Sequence, residues 1–324
     1  MIGYTLRRLI QVVFTVFALT VLVFLMLKLM PGDPAVVMAG IGAELEVIEG
    51  IREELGLNRP WPVQYWRFIS GLFNGRLEAM TYHRSVWSVI FSRLPATIEL
   101  GIFGIIIALV VSIPAGLLSA IYRNSVLDYT VTTVALMGIS IPVFWFALML
   151  MLVFGVILGI LPVSGRGASI ALFGWQNVRV SFVTWDGFRH LIIPSVALAS
   201  VQMAMNARLT RASMLEVLRQ DYVTTARAKG LKERVVLVKH AFRNALAPVV
   251  TNVGLQVGTL IAGAVLTETT TAWPGIGRLM VEAISRRDQA VVFGLALFLA
   301  TFFQISYLLV DLTYAYIDPR ITYD

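Results

Sequence analysis

The sequence predicts an all-α integral membrane protein with six transmembrane helices and a basic helical loop between the fourth and the fifth. Three observations carry that fold class. The 324 residues are 58% hydrophobic and 14% charged, with a mean hydropathy of +0.80, whereas a soluble domain is nearer a quarter charged. The stretches 9–27, 100–122, 129–165, 190–207, 244–267 and 289–310 hold no Asp, Glu, Lys or Arg, and about 20 apolar residues cross the hydrocarbon layer. Between the fourth and fifth stretches, 208–243 carries nine Lys/Arg against three Asp/Glu, the bias of a cytoplasmic loop.

Span 1 is placed at 9–30. Arg7-Arg8 before it imitates the start of a signal peptide, but the apolar run is long for one, and Lys28-Leu-Met-Pro-Gly-Asp-Pro34 has no small-x-small cleavage pattern. An outer loop, 31–95, follows. Within it Glu46–Gly56 reads as a short amphipathic helix stopped at glycine, and Asn58-Arg-Pro-Trp-Pro62 breaks it. Trp61, Tyr65, Trp66 and Phe68 then suit a membrane interface. Span 2 is 97–122. Span 3 is 129–158, because the third charge-free run is too long for one crossing, so Leu161-Pro-Val-Ser-Gly165 becomes loop. Span 4, 190–210, is the least apolar, with His190, Ser195, Gln202 and Asn206; span 5 is 246–268 and span 6 is 289–311.

With the N-terminus inside, the inner segments 1–8, 123–128, 208–243 and 311–324 hold 13 Lys/Arg and 7 Asp/Glu, and the remaining segments 13 and 12. The Lys/Arg counts tie because the outer ones are spread over the long 31–95 loop; the rule reads short loops near span ends, where 208–243 alone carries nine. Both termini are therefore placed in the cytoplasm, and the net charge of +7 reflects membrane topology rather than nucleic-acid binding. The 1–324 chain reads as a single membrane domain without repeats. Small residues recur every four positions at Ala108, Ser112 and Gly116, at Gly155 and Gly159, and at Gly254, Gly258 and Ala262. Such faces admit close helix approach, within the chain or against another subunit.

The loop 211–245 carries the functional signal. Asp221 is a good N-cap and Gly230 a good residue to follow a helix end, and Arg227 and Lys229 in the last turn favour its dipole. A helix of about two turns is marginal alone in water and needs something to dock against. Thr224, Thr225, Ala226 and Ala228 offer a small-residue surface suited to a protein groove; the bland alternative is an interfacial helix pair held by anionic lipid. A second helix from Lys232 to Ala245 puts Val235, Val238, Phe242 and Ala245 on one side, with Lys232, Lys239 and Arg243 largely away from it. Pro248 opens span 5, where a missing N–H costs little.

The run Asp221-Tyr-Val-Thr-Thr-Ala-Arg-Ala-Lys-Gly-Leu231 resembles the "EAA" loop of ABC-importer permeases, in the form typical of the dipeptide/oligopeptide/nickel family. Arg7-Arg8, Met30-Pro-Gly-Asp-Pro34, Leu161-Pro-Val-Ser-Gly165, His190-Leu-Ile-Ile-Pro194, Arg208–Leu218, Gly254-Leu-Gln-Val-Gly258, Trp273-Pro-Gly-Ile-Gly277 and Asp318-Pro-Arg320 are similar to the family's motifs, in order and end to end. The chain is most like the dipeptide-type first permease subunit. Two departures stand out. Thr224 and Thr225 occupy the first two positions of the Glu-Ala-Ala triplet, and Gly71–Met80 replaces a Gly-Asp-Leu-Gly-like stretch.

The resemblance implies a type I ABC importer permease. It would be a multi-pass protein of the bacterial inner membrane, paired with a homologous second permease subunit around a central pathway. Two cytoplasmic ATPase subunits and an external substrate-binding protein complete the scheme. Its coupling element falls on Asp221, Tyr222, Thr225, Ala226, Arg227, Ala228, Lys229 and Gly230. The resemblance favours di- or oligopeptide cargo; nickel chelates, glutathione and other small solutes are the alternatives. No cofactor is expected in this chain. It has no Gly-x4-Gly-Lys-Ser/Thr loop, so ATP and magnesium belong to the ATPase partners. Lys232 and Arg234 would meet acidic ATPase residues or form a solvated face.

For the translocation pathway the candidates are Ser140 and Pro142, mid-span in span 3, where Pro142 would loosen the helix, and Asn252, Gln256 and Thr259, recurring on span 5. Polar groups in lipid face a lumen or another helix, so interhelical hydrogen bonding is the competing reading. Glu99, Glu268 and Lys28 lie at span ends and are expected to snorkel. An intramembrane enzyme is disfavoured by the lack of His-Glu-x-x-His, Gly-x-Ser-Gly, paired intramembrane aspartates and cysteine. His83, His190 and His240 are scattered, so no metal site is expected. An ion-coupled secondary carrier is disfavoured by the charge-free spans.

Overall fold

The computed structural model describes residues 2–29, 32–40, 42–172 and 175–317. Inside its helices and strands it describes side chains at 7–29, 32–40, 42–171, 179–254, 256 and 264–308. Met30, Pro31, the Asp318-Pro-Arg320 motif and the Thr259 side chain lie outside these.

Helix α1 (Ile2–Leu29) is followed by α2 (Pro34–Ala39), started by Pro34 at its first position and by Asp33, whose Oδ1 accepts from Ala35 N at 2.9 Å. Next come α3 (Leu45–Glu54), α4 (Trp61–Phe73) and the hairpin β1 (Glu78–Ala79)–β2 (Arg84–Ser85). Gly56, at φ +68, takes the chain out of α3. The chain continues through α5 (Val86–Ile121), α6 (Val126–Ser140) and α7 (Val143–Leu150), the last continued as a π-helix over Met151–Ile157. A second hairpin, β3 (Ile170–Leu172)–β4 (Trp175–Val180), precedes α8 (Trp185–Val217), which Thr184 Oγ1 caps by accepting from Gly187 N at 3.0 Å. The remainder is α9 (Asp221–Ala228), α10 (Glu233–Val235), a π-helical stretch Val236–Phe242, α11 (Arg243–Ala245), α12 (Ala247–Thr270), α13 (Ile276–Ser285) and α14 (Gln289–Ile317).

Among the described residues four helical stretches are long and apolar enough to cross a membrane: Arg7–Leu29, Val86–Ile121, Trp185–Val217 and Gln289–Leu308. The stretch 246–268 falls almost wholly on the 24-residue α12. Two expectations are corrected. The fold is mostly helical, as expected, but the Gly/Ser-rich segment read as loop folds into the hairpin β3–β4, pairing Ile170 with Val180 and Ala171 with Arg179. The span 129–158, expected as one helix, is broken: α6 and α7 meet at 109°. The cause is Pro142. The residue before a proline is driven out of the helical region, Ile141 sits extended at φ −86, ψ 126, and Pro142 becomes the cap of α7.

The chain forms two compact units, residues 1–95 with 275–324, and residues 96–274. In the first, α1 packs on α14 and α13 on α14. Phe24 meets Tyr65 and Phe68 at ring-centroid distances of 5.5 and 6.1 Å, and Phe68 meets Phe293 at 5.5 Å. Trp87 Nε1 donates to Leu72 O at 2.7 Å. The buried Asp288 starts α14 by accepting from Val291 N, and it also accepts from Thr81 N at 2.9 Å.

In the second unit α8 is the hub, against α6, α7 and α12. A core of Ala96, Leu100, Leu191, Leu198 and Trp273 forms there. The small-residue face of the second predicted span packs within the chain. Ala108 and Ser112 are buried, and a Cβ on Gly116 would overlap Ala207 O and lie 2.7 Å from Thr210 Cβ. Gly116→Ala therefore pushes α5 off the α8 backbone and lowers stability by about 1–3 kcal/mol, read as a reduced Tm of the purified protein. Gly101→Ala, with nothing within 4 Å of its Cβ, leaves Tm in place.

Candidate functional site

The loop between α8 and α12 is a built element. Helix α9 has 8 residues and would be marginal in isolation; packing supplies what length does not. Its Val223 and Ala226 are buried with Ala120 at the end of α5, Met214 on α8, and Val236, Ala241 and Ala245 from the following helices. Leu117, Leu215, Leu237 and Phe242 close the rim. Burying such side chains contributes about 25 cal/mol per Å² of apolar surface, so the loop is anchored to the helix ends rather than tethered by them.

The helix starts one residue earlier than the capping argument expects. Gln220 holds the extended cap position and Asp221 is the first helical residue, where its charge still favours the dipole. Gly230 does end the helix, at φ +73, with its N–H donating to Arg227 O at 2.9 Å. The second helix also shifts its face. Val236, Ala241 and Ala245 are buried, whereas Val235 and Val238 are 38% and 55% exposed. The π-helical stretch explains this, because its wider turn aligns residues at i and i+5, carrying Val236 and Ala241 inward together.

Polar ties complete the element. Arg227 Nη2 donates to Glu233 Oε1 at 2.8 Å, and Asn244 Nδ2 to Tyr222 Oη at 2.9 Å. The Arg227 guanidinium holds the Glu233 carboxyl below its ordinary range. This tie is therefore intact at neutral pH and is lost as the pH falls through that lowered value. Beneath the element lies a pair that sequence reasoning missed. Asp128, 3% exposed, accepts from Arg211 Nε at 2.6 Å and Nη2 at 2.8 Å. It also accepts from Ser119 Oγ and from Asn124 N at 2.9 Å. One carboxylate thus joins the end of α5, the α5–α6 turn, α6 and α8. The legible signal was Ser125-Val-Leu-Asp128, a capping-box spacing, and Ser125 Oγ does accept from Asp128 N.

Of the coupling residues expected from sequence, Asp221, Tyr222, Thr225, Arg227, Ala228, Lys229 and Gly230 are exposed together with Thr224. Ala226 is the exception: it is 6% exposed and faces the chain's own core, because it stands one turn from Val223 on the docked face. Lys232 and Arg234 are exposed.

The pathway candidates separate. Asn252 Nδ2 donates to Asn206 Oδ1 at 2.9 Å, and Gln256 exchanges bonds with Asn206 at 3.3 Å. Asn206 is fully buried. Asn252 and Gln256 thus make the interhelical hydrogen bonds, between α8 and α12, of the competing reading. Ser140 donates to Leu136 O at 2.9 Å, and with Pro142 it is exposed at the break. Beside that break lies an apolar cavity of about 470 Å³ walled by α5, α6, Ile141, α7 and α8.

Glu99 and Glu268 do not snorkel; they are 4% and 0% exposed. Glu99 accepts from Arg166 Nη2 at 2.7 Å, from Ser181 N and Oγ at 2.8 Å each, and from Phe182 N at 2.7 Å. Thr97 Oγ1 donates to Glu268 at 2.6 Å. Glu99 thus pins the segment around β3–β4 to α5, and Glu268 ties α12 to α5 through Thr97. Arg166 also lies 5.8 Å from the Trp273 ring centre. Lys28 donates to Gln64 Oε1 and is likewise engaged.

Comparison with known proteins matches residues 112–323 to the family described as binding-protein-dependent transport system inner membrane component, and residues 1–101 to its N-terminal companion. The dipeptide transport system permease protein DppB of Alkalihalophilus pseudofirmus is 43% identical, covering 100% of both chains. Its Escherichia coli counterpart is 42% identical over 99% of both. The glutathione transport system permease protein GsiC of Escherichia coli is 39% identical over 100% of both.

Proposed function

Because the chain belongs to the family of binding-protein-dependent transport inner-membrane components, as the permease of a dipeptide-type importer, we propose that it forms half of an ATP-driven pathway for di- or oligopeptides. The observation that carries this reading is end-to-end similarity at 42–43% identity to dipeptide permeases of matching length. In this account α1, α5, the broken α6–α7, α8, α12 and α14 are the six spans of a multi-pass inner-membrane protein, with both termini in the cytoplasm.

A homologous second permease subunit completes the pathway. Two cytoplasmic ATPase subunits, which hold ATP and magnesium, receive the exposed face of residues 221–230, and an external substrate-binding protein delivers cargo. The docked loop supports the coupling role, since its buried core makes it move as one body with the ends of α5 and α8. Ser140 and Pro142 are assigned to the pathway, where a broken helix is accommodated only if it faces protein or a water-filled cavity.

The similarity to GsiC supports glutathione, itself a small peptide, as a second cargo reading. Uptake of labelled dipeptide into proteoliposomes holding the complete importer, with and without excess glutathione, and uptake of labelled glutathione in parallel separate the two. Dipeptide uptake that glutathione leaves unchanged is the expected result. Glutathione uptake without dipeptide uptake would replace the first reading with the second.

A further inference from the structure

We propose that a basic cleft in the unit of residues 1–95 and 275–324 binds the phosphate of a membrane phospholipid. The cleft, of about 340 Å³, lies between α2, the β1–β2 turn and the α13–α14 junction. Arg286 and Arg287 face His83 and Thr81 there, and Val37 and Met38 form an apolar wall. Arginine's planar fork suits phosphate oxygens, which it meets with paired hydrogen bonds.

Three observations support an anionic ligand. The nearby acids are spent elsewhere: Asp33 pairs with Arg52, and Asp288 points into the protein, bonded by Thr81 N and Val291 N. Two arginines adjacent in sequence and lining one cleft are thus left without an ion pair among the described residues, and an anion there would pair with them. The backbone also holds Arg287 at the edge of the cleft, against the residues that lead into Pro34 of its lining. Its φ is +55, and its guanidinium lies over Gly32, where a Cβ would overlap Nη1. Only glycine at 32 leaves the room, and its own φ of +105 suits glycine alone.

The position selects a lipid as the source of the phosphate. Arg287 stands two residues before Gln289, which opens the apolar stretch Gln289–Leu308, and α2 follows directly on Arg7–Leu29, the apolar stretch of α1. The cleft therefore sits where two membrane-crossing helices reach the headgroup layer. Val37 and Met38, 43% and 41% exposed, offer a surface for the glycerol and first methylenes. This inference needs the membrane placement alone, not the importer reading.

The test uses the full chain in detergent, with bound lipid counted by native mass spectrometry and Tm followed during titration. One phospholipid per chain is expected to survive mild delipidation, and phosphatidylglycerol to raise Tm. Arg286→Gln with Arg287→Gln weakens binding by roughly a hundredfold, about tenfold for each arginine–phosphate hydrogen-bonded pair removed. Inorganic phosphate is expected neither to displace the lipid at millimolar concentration nor to raise Tm. Equal lipid retention by wild type and the double variant overturns the proposal, as does stabilisation of wild type by inorganic phosphate alone, which would make the source a free ion. If the double variant does not fold, the wild-type count and titration still decide: no retained lipid and no shift in Tm refutes it. Binding of an acidic external protein there, unaffected by phosphatidylglycerol, refutes it as well.

Discussion

Replacing Asp128 with alanine lowers stability by about 3–4 kcal/mol, toward the lower end of what removing one partner of a buried ion pair costs. The lower end applies because the Arg211 side chain is 28% exposed and water reaches it, whereas Asp128 is 4% exposed at the side chain. Besides leaving Arg211 unpaired, the change frees the Ser119 hydroxyl and the Asn124 N–H. Asn124 then has nothing to hold its left-handed backbone, φ +64. Chemical denaturation of the purified protein, followed by tryptophan fluorescence, measures the loss. Arg211→Met added to Asp128→Ala restores part of it, since a buried pair replaced together costs far less than one broken. A full-strength protein after Asp128→Ala, or no recovery in the double variant, would mean that the carboxylate does not join these helices.

The second large effect concerns the loop itself. Exchanging Asp221–Gly230 for a Gly/Ser linker abolishes capture of ATPase subunits and ATP-driven uptake while leaving the chain in the membrane. The linker removes Val223 and Ala226 from the apolar cluster along with the Arg227–Glu233 and Tyr222–Asn244 ties. It also removes the exposed residues assigned to docking. Arg227→Ala alone acts weakly, because the pair it breaks is 42% and 56% exposed and exposed pairs contribute little. Co-purification of tagged ATPase subunits and uptake into membrane vesicles give the two readouts. Uptake preserved with the linker would contradict the assignment.

Much of this was legible in the sequence, for particular reasons. Charge-free runs report a lipid environment directly, so the long helices α1, α5, α8, α12 and α14 follow from composition. Gly230 was legible because a left-handed exit demands it. What stayed hidden depended on partners distant in the chain. Asp128 and Arg211 lie 83 positions apart, and nothing local marks them as a pair. Glu99 looked like a span-end charge because its donors, Arg166, Ser181 and Phe182, arrive from a segment whose hairpin no strong alternation announced. Asn252 and Gln256 were visible as polar residues on one helix face, but only Asn206 across the interface decides what they do. Ala226 was misassigned to the outer face because composition cannot say which side of a two-turn helix is docked. Pro142 was read as loosening a helix, whereas the extended residue before it turns the chain through 109°. The π-helical stretch is the clearest limit: a pattern built on 3.6 residues per turn cannot anticipate a local turn of a different width.

Because the chain contains no cysteine, single-cysteine variants report on one position each. The most direct test of coupling through the α9 surface is cross-linking of Ala228→Cys and of Ala226→Cys in the assembled importer. Ala228→Cys is expected to cross-link to an ATPase subunit, to a degree that changes when ATP is added, while Ala226→Cys, facing the chain's own core, does not. Cross-linking at neither position, or labelling of Ala228→Cys by a membrane-impermeant reagent applied from outside the cell, would contradict the account.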